Sequence, residues 1–375
     1  MRLDWIPAQR GDSLKQVDTP ALILDLDKFE ANLTRMAQAA ASSAVRLRPH
    51  AKTHKCVEIA RRQINAGAVG ICVQKMGEAE VFLGGDIPDV LITNEIAGDQ
   101  KLRRLAQLAR RFTDSKLGVC VDDAESARRL ATLCAEEQAR LDVYVEVDVG
   151  QNRGGVPDAE VAVQVARVVA ASGFLHLAGL HAYAGSAQHR RGAPERRAAV
   201  KHAAARAAEV RDALVAANLS CDVITGGGTG TFPYDATSGV YNEIQPGSYL
   251  FMDVDYKRNE QDPDAPVFDN ALFVLTTVMS QRGERATLDA GLKAFSTDSG
   301  PARPTFDGWR VHSVSDEHTV LTRIADGGPA IKIGAKALLV PGHCDPTVNL
   351  HDWIVAVRQG TVEAVWPVDA RGAVY

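Results

Sequence analysis

Residues Val45 to Cys56 read VRLRPHAKTHKC, an apolar start, a proline, and then two lysines and two histidines. Val45 and Leu47 suit a buried strand that Pro49 ends, because proline has no N–H for a ladder. Lys52 and Lys55 then stand at the carboxyl edge of that strand, where an α/β fold gathers its chemistry. An amine so placed suits Schiff-base formation if burial draws its pKa below the usual value of about 10.4. TGGGTG, Thr225 to Gly230, directly follows the strand-like CDVIT. Its glycines let backbone N–H groups approach an anion, and the Thr225 and Thr229 hydroxyls add donors. QPGSY, Gln245 to Tyr249, offers a second small-residue turn. Two such turns with a strand-edge lysine fit a phosphorylated aldehyde, of which pyridoxal 5'-phosphate is the obvious candidate.

PGHCDPTVNLHD, Pro341 to Asp352, carries a different chemistry. In an extended segment His343 and Asp345 point to one face and Cys344 to the other. Imidazole with carboxylate suits a divalent ion, Mn²⁺ or Mg²⁺ before Zn²⁺, since no thiolate is needed. Arg153 follows the strand-like VEVDV and can bond an anionic cofactor oxygen. Tyr183 and His189 lie past another strand end, in HAYAGSAQH, and His189 can serve as a general base because imidazole titrates near neutrality.

The elements that must position these groups alternate. Short apolar runs at 21–26, 45–49, 69–74, 89–94, 117–122, 142–149, 176–183, 221–225 and 247–253 are separated by helix-like stretches such as DQKLRRLAQLARRF. Strand–helix alternation at this spacing indicates βαβ units and a parallel sheet. Nine strand candidates are one too many for a (β/α)8 barrel. After about residue 260 the pattern becomes strands joined by turns, with no long helix, which reads as a smaller all-β domain. The polar, proline-containing YKRNEQDPDAPVFDN joins the two.

With 46% apolar and 24% charged residues, the 375-residue chain has the composition of a globular protein. Its net charge of −5 weighs against nucleic acid or acidic membranes as partners. No run reaches bilayer-spanning length, and the N-terminus lacks a signal-peptide core. Six cysteines without a CxxC pair suit a reducing cytoplasm.

Taken in order, DTPALILDLDKFEANL, RPHAKTHK, ICVQK, ITNE, VEVDVGQNRGGV, TGGGTG, YNEIQPGSYLFMD, LDAGLK, SDEH and PGHCDPTVNLHD resemble one family over nearly the whole chain. It is the metal-activated D-threonine aldolase, 3-hydroxy-D-aspartate aldolase and D-serine dehydratase group of alanine-racemase-like, fold type III pyridoxal phosphate enzymes. The resemblance implies a (β/α)8 barrel over 27–258, closed by GSYLFMD, and a β domain of 259–375 joined by the N-terminal strand of 1–26. It implies that Lys52 binds the cofactor aldehyde and that Arg153 contacts its phenolic oxygen. Gln74, Tyr183, Thr225, Gly228, Thr229, Gly247 and Ser248 would line its ring and phosphate, and His343 with Asp345 would hold the metal. His189 matches a base for the substrate hydroxyl; Asn94 and Asp316 fall at substrate-pocket positions. Homodimers are the rule in such families.

The His-x-Asp spacing resembles the aldolases, whereas the dehydratases tend to carry His-x-Cys. Cleavage of a D-3-hydroxy-amino acid to glycine and an aldehyde is therefore the leading expectation, with D-threonine ahead of 3-hydroxy-D-aspartate. D-Serine dehydration, a non-catalytic pyridoxal phosphate carrier and a sugar-phosphate barrel enzyme are the alternatives. Carriers of this fold lack the second domain, and a sugar-phosphate enzyme has no use for the lysine.

Overall fold

Of the nine apolar runs before residue 255, the first stands apart. β1 (Ala21–Asp25) leads into α1 (Leu26–Ser42), whose first turn is capped by the Asp25 carboxylate accepting the Lys28 N–H. The barrel then begins. Its strands are β2 (Arg46–Leu47), β3 (Ile71–Val73), β4 (Asp89–Glu95), β5 (Lys116–Val121), β6 (Leu141–Glu146), β7 (Leu175–Ala182), β8 (Val223–Gly226) and β9 (Glu243–Ile244). All are parallel and hydrogen-bonded in the order β2-β9-β8-β7-β6-β5-β4-β3. The Leu47 and Pro49 carbonyls accept the Val69 and Cys72 N–H groups at 2.9 and 2.8 Å, which joins β2 to β3 and closes the ring. The computed structural model describes residues 5–324, 328 and 330–375; residues 1–4, within the segment 1–26 assigned above to the β domain, lie outside it.

Outer helices α2 (Val57–Asn65), α3 (Met76–Gly84), α4 (Asp99–Arg111), α5 (Ala124–Glu137), α6 (Ala159–Ala170), α7 (Ala193–Ala216) and α8 (Phe232–Ala236) alternate with the strands. In α6 the buried residues are Ala162, Val165, Ala166 and Val169, one stripe at helical spacing, and the Asp158 carboxylate accepts the Val161 N–H at 2.9 Å to start it. Inside the ring, Cys72, Leu91, Cys120, Tyr144, Ala178 and Val223 form an apolar plug. Two residues further along their strands come Gln74, Thr93, Glu146 and Thr225, so strand alternation sets a polar layer above the plug.

The closing strand differs from the expectation. Pro246 cannot donate to a ladder, so the Gln245 N–H makes the last bond to β8 while the Pro246 carbonyl still accepts the His50 N–H at 3.2 Å, and GSYLFMD then makes a single 3-10 turn at Ser248–Leu250. The fully buried Tyr249 anchors that turn, its N–H donating to Thr229 Oγ1 at 3.0 Å.

A second, mixed sheet holds β10 (Leu272–Arg282), β11 (Arg285–Leu288), β12 (Arg303–Pro304), β13 (Trp309–Val314), β14 (Thr319–Arg323), β15 (Lys336–Val340), β16 (Trp353–Arg358) and β17 (Thr361–Pro367). β1 lies within it, antiparallel to β10 and parallel to β16. The first strand candidate thus belongs to the second sheet, seven others lie in the ring, and β9 takes the eighth place instead of 247–253. Between β15 and β16 the chain forms the short helix α9 (Cys344–Val348).

Candidate active site

Pro49 ends β2, and the chain turns at once into a 3-10 helix, Ala51–Thr53, that carries Lys52. His50 organises the turn: its Nδ1 accepts the Lys52 N–H at 3.3 Å, and its Nε2 lies 3.1 Å from Thr93 Oγ1. Burial, helped by the nearby Lys52 charge, drives the His50 pKa well down, so its ring is neutral. Both lysines of the motif border a cavity of about 490 Å³ at the carboxyl ends of the barrel strands, but Lys55 is buried against Glu78, 3.0 Å away, whereas Lys52 keeps a side chain 38% exposed. Burial alone would lower the pKa of the Lys52 amine, but the Asp345 carboxylate 3.8 Å away, with Tyr183, outweighs it. The net shift is upward, opposite to the depressed amine expected from the sequence, because that expectation took no account of the carboxylate from the second sheet.

Gly228, Thr229, Gly247 and Ser248 line the same cavity. Gly227, at φ +73°, turns the chain out of β8. A Cβ on Gly247 would stand 2.6 Å from Thr53 Oγ1 and 2.8 Å from the His50 carbonyl, so only glycine lets this turn close on the lysine segment. Behind the loop lies the fully buried Asp235, which accepts the Thr231 hydroxyl at 2.6 Å; burial pushes its carboxyl up to about 7. Gln74, Arg153, Tyr183, Gln245 and His181 complete the barrel side. Arg153 stands 3.7 Å from Glu146 and 5.9 Å from the Tyr183 ring. Burial, then Glu146, pushes Glu95 up to about 7; for Glu146, His181 at 3.2 Å outweighs burial and the shift is downward.

The opposite wall comes from the second sheet. His343 is extended, but Asp345 sits in the first turn of α9. The extended segment expected for this pair is thus replaced by a helix start, with the Asp253 carboxylate fixing its origin through the Cys344 N–H at 2.9 Å. Both side chains still reach the cavity. His343 Nδ1 lies 2.7 Å from Asp298 Oδ2, which leaves Nε2 for an ion, an arrangement common among metal-binding histidines. Cys344, fully buried, is not among the cavity's lining residues, as expected of the residue between the pair; its sulfur is 3.4 Å from Asp345 Oδ1 and burial pushes the thiol well up. His189 also lines the cavity, with Nδ1 2.6 Å from Asp255 Oδ2.

Eleven sequence-nominated residues therefore share one cavity: Lys52, Gln74, Arg153, Tyr183, His189, Gly228, Thr229, Gly247, Ser248, His343 and Asp345. Three stand elsewhere. Thr225 is fully buried and accepts a hydrogen bond from Gln245 Nε2 at 2.8 Å. Asn94 yields its place on the wall to Thr93, because adjoining strand residues face opposite ways. Asp316 lies on the exposed turn between β13 and β14 and is not among this chain's lining residues. His50, His181, Gln245, Tyr256 and Asp298 are wall residues that the motifs passed over. Counting in twos along the strands reaches Thr93 and Glu146, but no local signal marks Asp298. A larger groove of about 910 Å³ runs between α1, α7 and the linker; it holds none of the nominated residues.

Comparison with known proteins agrees with this layout. Residues 24–255 match the family described as alanine racemase, N-terminal domain, and residues 271–357 match a putative serine dehydratase domain. The chain is 48% identical to a D-threonine aldolase of Arthrobacter sp over 98% of its own length and 96% of that protein. It is 43% identical to a 3-hydroxy-D-aspartate aldolase of Paracoccus denitrificans (strain Pd 1222) over 99% and 96% of the two chains. The crystal structure of D-threonine aldolase from Filomicrobium marinum superposes with a TM-score of 0.95 at 47% identity, covering 99% of this chain and 100% of that one. A barrel ending in glycine turns, a lysine on its rim and a second sheet completing the cavity thus have a shared ancestry: the chain belongs to the alanine racemase N-terminal domain family.

Proposed function

We propose that the protein is a pyridoxal phosphate- and divalent-metal-dependent aldolase that cleaves a D-β-hydroxy-α-amino acid, of the D-threonine type, to glycine and an aldehyde. One observation carries the reading: the Lys52 amine and the Asp345 carboxylate, from different sheets, meet at 3.8 Å in a cavity that also holds His343 and His189. The stereochemistry rests on the relatives.

The residues fit the cofactor. Lys52 is the exposed amine, Gly228–Thr229 and Gly247–Ser248 are turns whose hydroxyls and backbone N–H groups suit a phosphate, and Tyr183, Gln74 and Arg153 surround the space left for a ring. Bound there, the cofactor supplies a sink for the electron pair left at Cα when the Cα–Cβ bond breaks. His343 and Asp345, an imidazole Nε2 and a carboxylate, fit a Mn²⁺ or Mg²⁺ ion, which as a Lewis acid would make a β-hydroxyl more acidic. His189 removes the hydroxyl proton, directly or through water. Arg153, with 48% of its side chain exposed, orients an anionic oxygen. The closed ring and its apolar plug bar water from below.

The named relatives support a second reading, that of a 3-hydroxy-D-aspartate aldolase, in which Arg153 on the wall or the metal itself would meet the distal carboxylate. Incubation with D-threonine, D-serine and 3-hydroxy-D-aspartate in the presence of Mn²⁺ tests both. Acetaldehyde with glycine is expected, glyoxylate favours the second reading, and pyruvate from D-serine refutes both in favour of dehydration.

The division proposed is a barrel of 27–258 and a β domain of 259–375 with 1–26. A homodimer would give Asp316 a route to a substrate, since its turn must reach a cavity on another chain; light scattering tests this. The six free cysteines, five of them buried, suit the cytoplasm, and no helix among the described residues is long and apolar enough to cross a membrane.

A further inference from the structure

His189 lies on the loop after β7, and its Nδ1 is 2.6 Å from Asp255 Oδ2. Asp255 lies just before the linker that leads to the second sheet, and its side chain is only 6% exposed. Its other oxygen, Oδ1, is held by the Arg191 guanidinium, with Arg258 3.7 Å away. Arg191 also donates to the Asp255 carbonyl at 2.8 Å and to Asn259 Oδ1 at 2.7 Å, so the carboxylate cannot swing. The Tyr256 ring, 4.9 Å from the imidazole, covers one face. The segment leading into the linker is itself pinned: Val254 and Asp255 donate to the carbonyls of Pro341 and Gly342 at 3.0 and 3.2 Å, immediately before His343.

We infer that Asp255 is the positioning residue for the base, locking His189 with its proton on Nδ1 and its Nε2 lone pair toward the substrate hydroxyl. The inference rests on the role proposed for His189. A carboxylate offers only acceptors, so an ion-pair contact that holds Oδ2 2.6 Å from Nδ1 favours the proton on that nitrogen. Only then can Nε2 accept a proton at neutral pH; with the tautomer reversed, Nε2 carries a hydrogen and cannot act as a base. The same backbone that seats Asp255 presents His343, so base and ion pair are registered to each other through that segment.

Asp255→Asn separates this from a merely structural role. Arg191 has only donors, so it takes the amide oxygen and turns the NH₂ toward Nδ1, which must then accept. The reading is ¹⁵N NMR of histidine-labelled protein, with His189 assigned by its loss in His189→Gln, alongside steady-state kinetics of the loaded enzyme. Wild-type His189 is expected as the Nδ1–H tautomer and the variant as Nε2–H. kcat should fall about 10²- to 10³-fold, as expected for loss of a general base, with KM little changed. Asp255→Glu, which keeps a carboxylate, should retain the Nδ1–H tautomer and most of kcat. An Nε2–H tautomer in the wild type overturns the inference even if Asp255→Asn does not fold. A flipped tautomer with undiminished kcat also overturns it. Absence of cleavage by wild-type enzyme strikes the proposed function instead, and the NMR result shows that separately.

Discussion

The barrel delivers Gln74, Thr93 and Tyr183 from in or beside the ends of its strands, and Lys52 and Arg153 from the loops that follow them. The second sheet delivers His343, Asp345 and Asp298 from connections between strands, held by bonds to one another and to Asp253. One half of the site is placed by a ladder and an apolar plug, the other by charges. The barrel half should therefore tolerate loss of a charge in place, while the second half should fail as a unit. It also follows that the lysine needs the foreign half to set its charge, since Asp345 outweighs burial at Lys52.

The largest effect should come from Lys52→Ala: loss of activity by at least about 10³-fold, together with loss of the visible absorbance of lysine-bound cofactor. Lys55→Met, three residues on, should keep that absorbance, because Lys55 is spoken for by Glu78. An undiminished band in Lys52→Ala would reverse the roles of the two lysines. Next, exhaustive chelation should lower activity by about 10²-fold or more, with recovery on adding Mn²⁺ or Mg²⁺, and Asp345→Asn should match it without recovery. The cofactor band should survive both treatments, since the barrel half binds without the ion. Full activity in chelator removes the ion from the account.

Legibility in the sequence followed the same division. Seven of the eight ring strands and the glycine turns could be read because buried parallel strands are apolar runs and only glycine permits the close approaches. The last ring strand lies ahead of the expected 247–253, because the apolar run there follows Pro246 while the two residues Glu243–Ile244 are too few to show a pattern. The pair His343 and Asp345 was legible from its types, but its geometry was not: the helix start at Cys344 depends on Asp253, 91 residues away. Asp298 and Asp255 were invisible for the same reason, since nothing local marks a carboxylate whose partner is a distant histidine.

Lys55→Met should have a smaller effect than the chemical variants, and on stability alone. Glu78 would be left with the Gln74 and Lys75 N–H groups as its partners, at 2.8 and 3.0 Å. Breaking a buried pair costs about 3 kcal/mol, read as a fall of several degrees in thermal unfolding. An unchanged transition would show that the N–H groups suffice for Glu78.

The finest distinction between the halves is in the sign of their pH dependence. Asp235, behind the barrel's glycine loop, has its carboxyl raised to about 7 by burial, against about 3.9 in an unfolded chain. Between those values the folded form binds the extra proton, so this group's contribution to stability falls as pH rises from 4 through 7. In the second half, the Lys52 and His343 charges outweigh burial and depress Asp345, and Asp298 is lowered by Ser296 and His343 despite burial. Those groups contribute stability above the unfolded carboxyl pKa and lose it on acidification. Asp235→Asn should therefore gain on the wild type between pH 5 and pH 8, whereas Asp345→Asn should lose least, relative to wild type, at the acid end. Thermal unfolding of the cofactor-free, metal-free protein across pH 3–8 reads both. Parallel curves for wild type and Asp235→Asn would mean that the Thr231 hydroxyl and the loop N–H groups keep this acid ionised in place, and the contrast between a desolvated barrel and an ion-paired second half would then reduce to geometry.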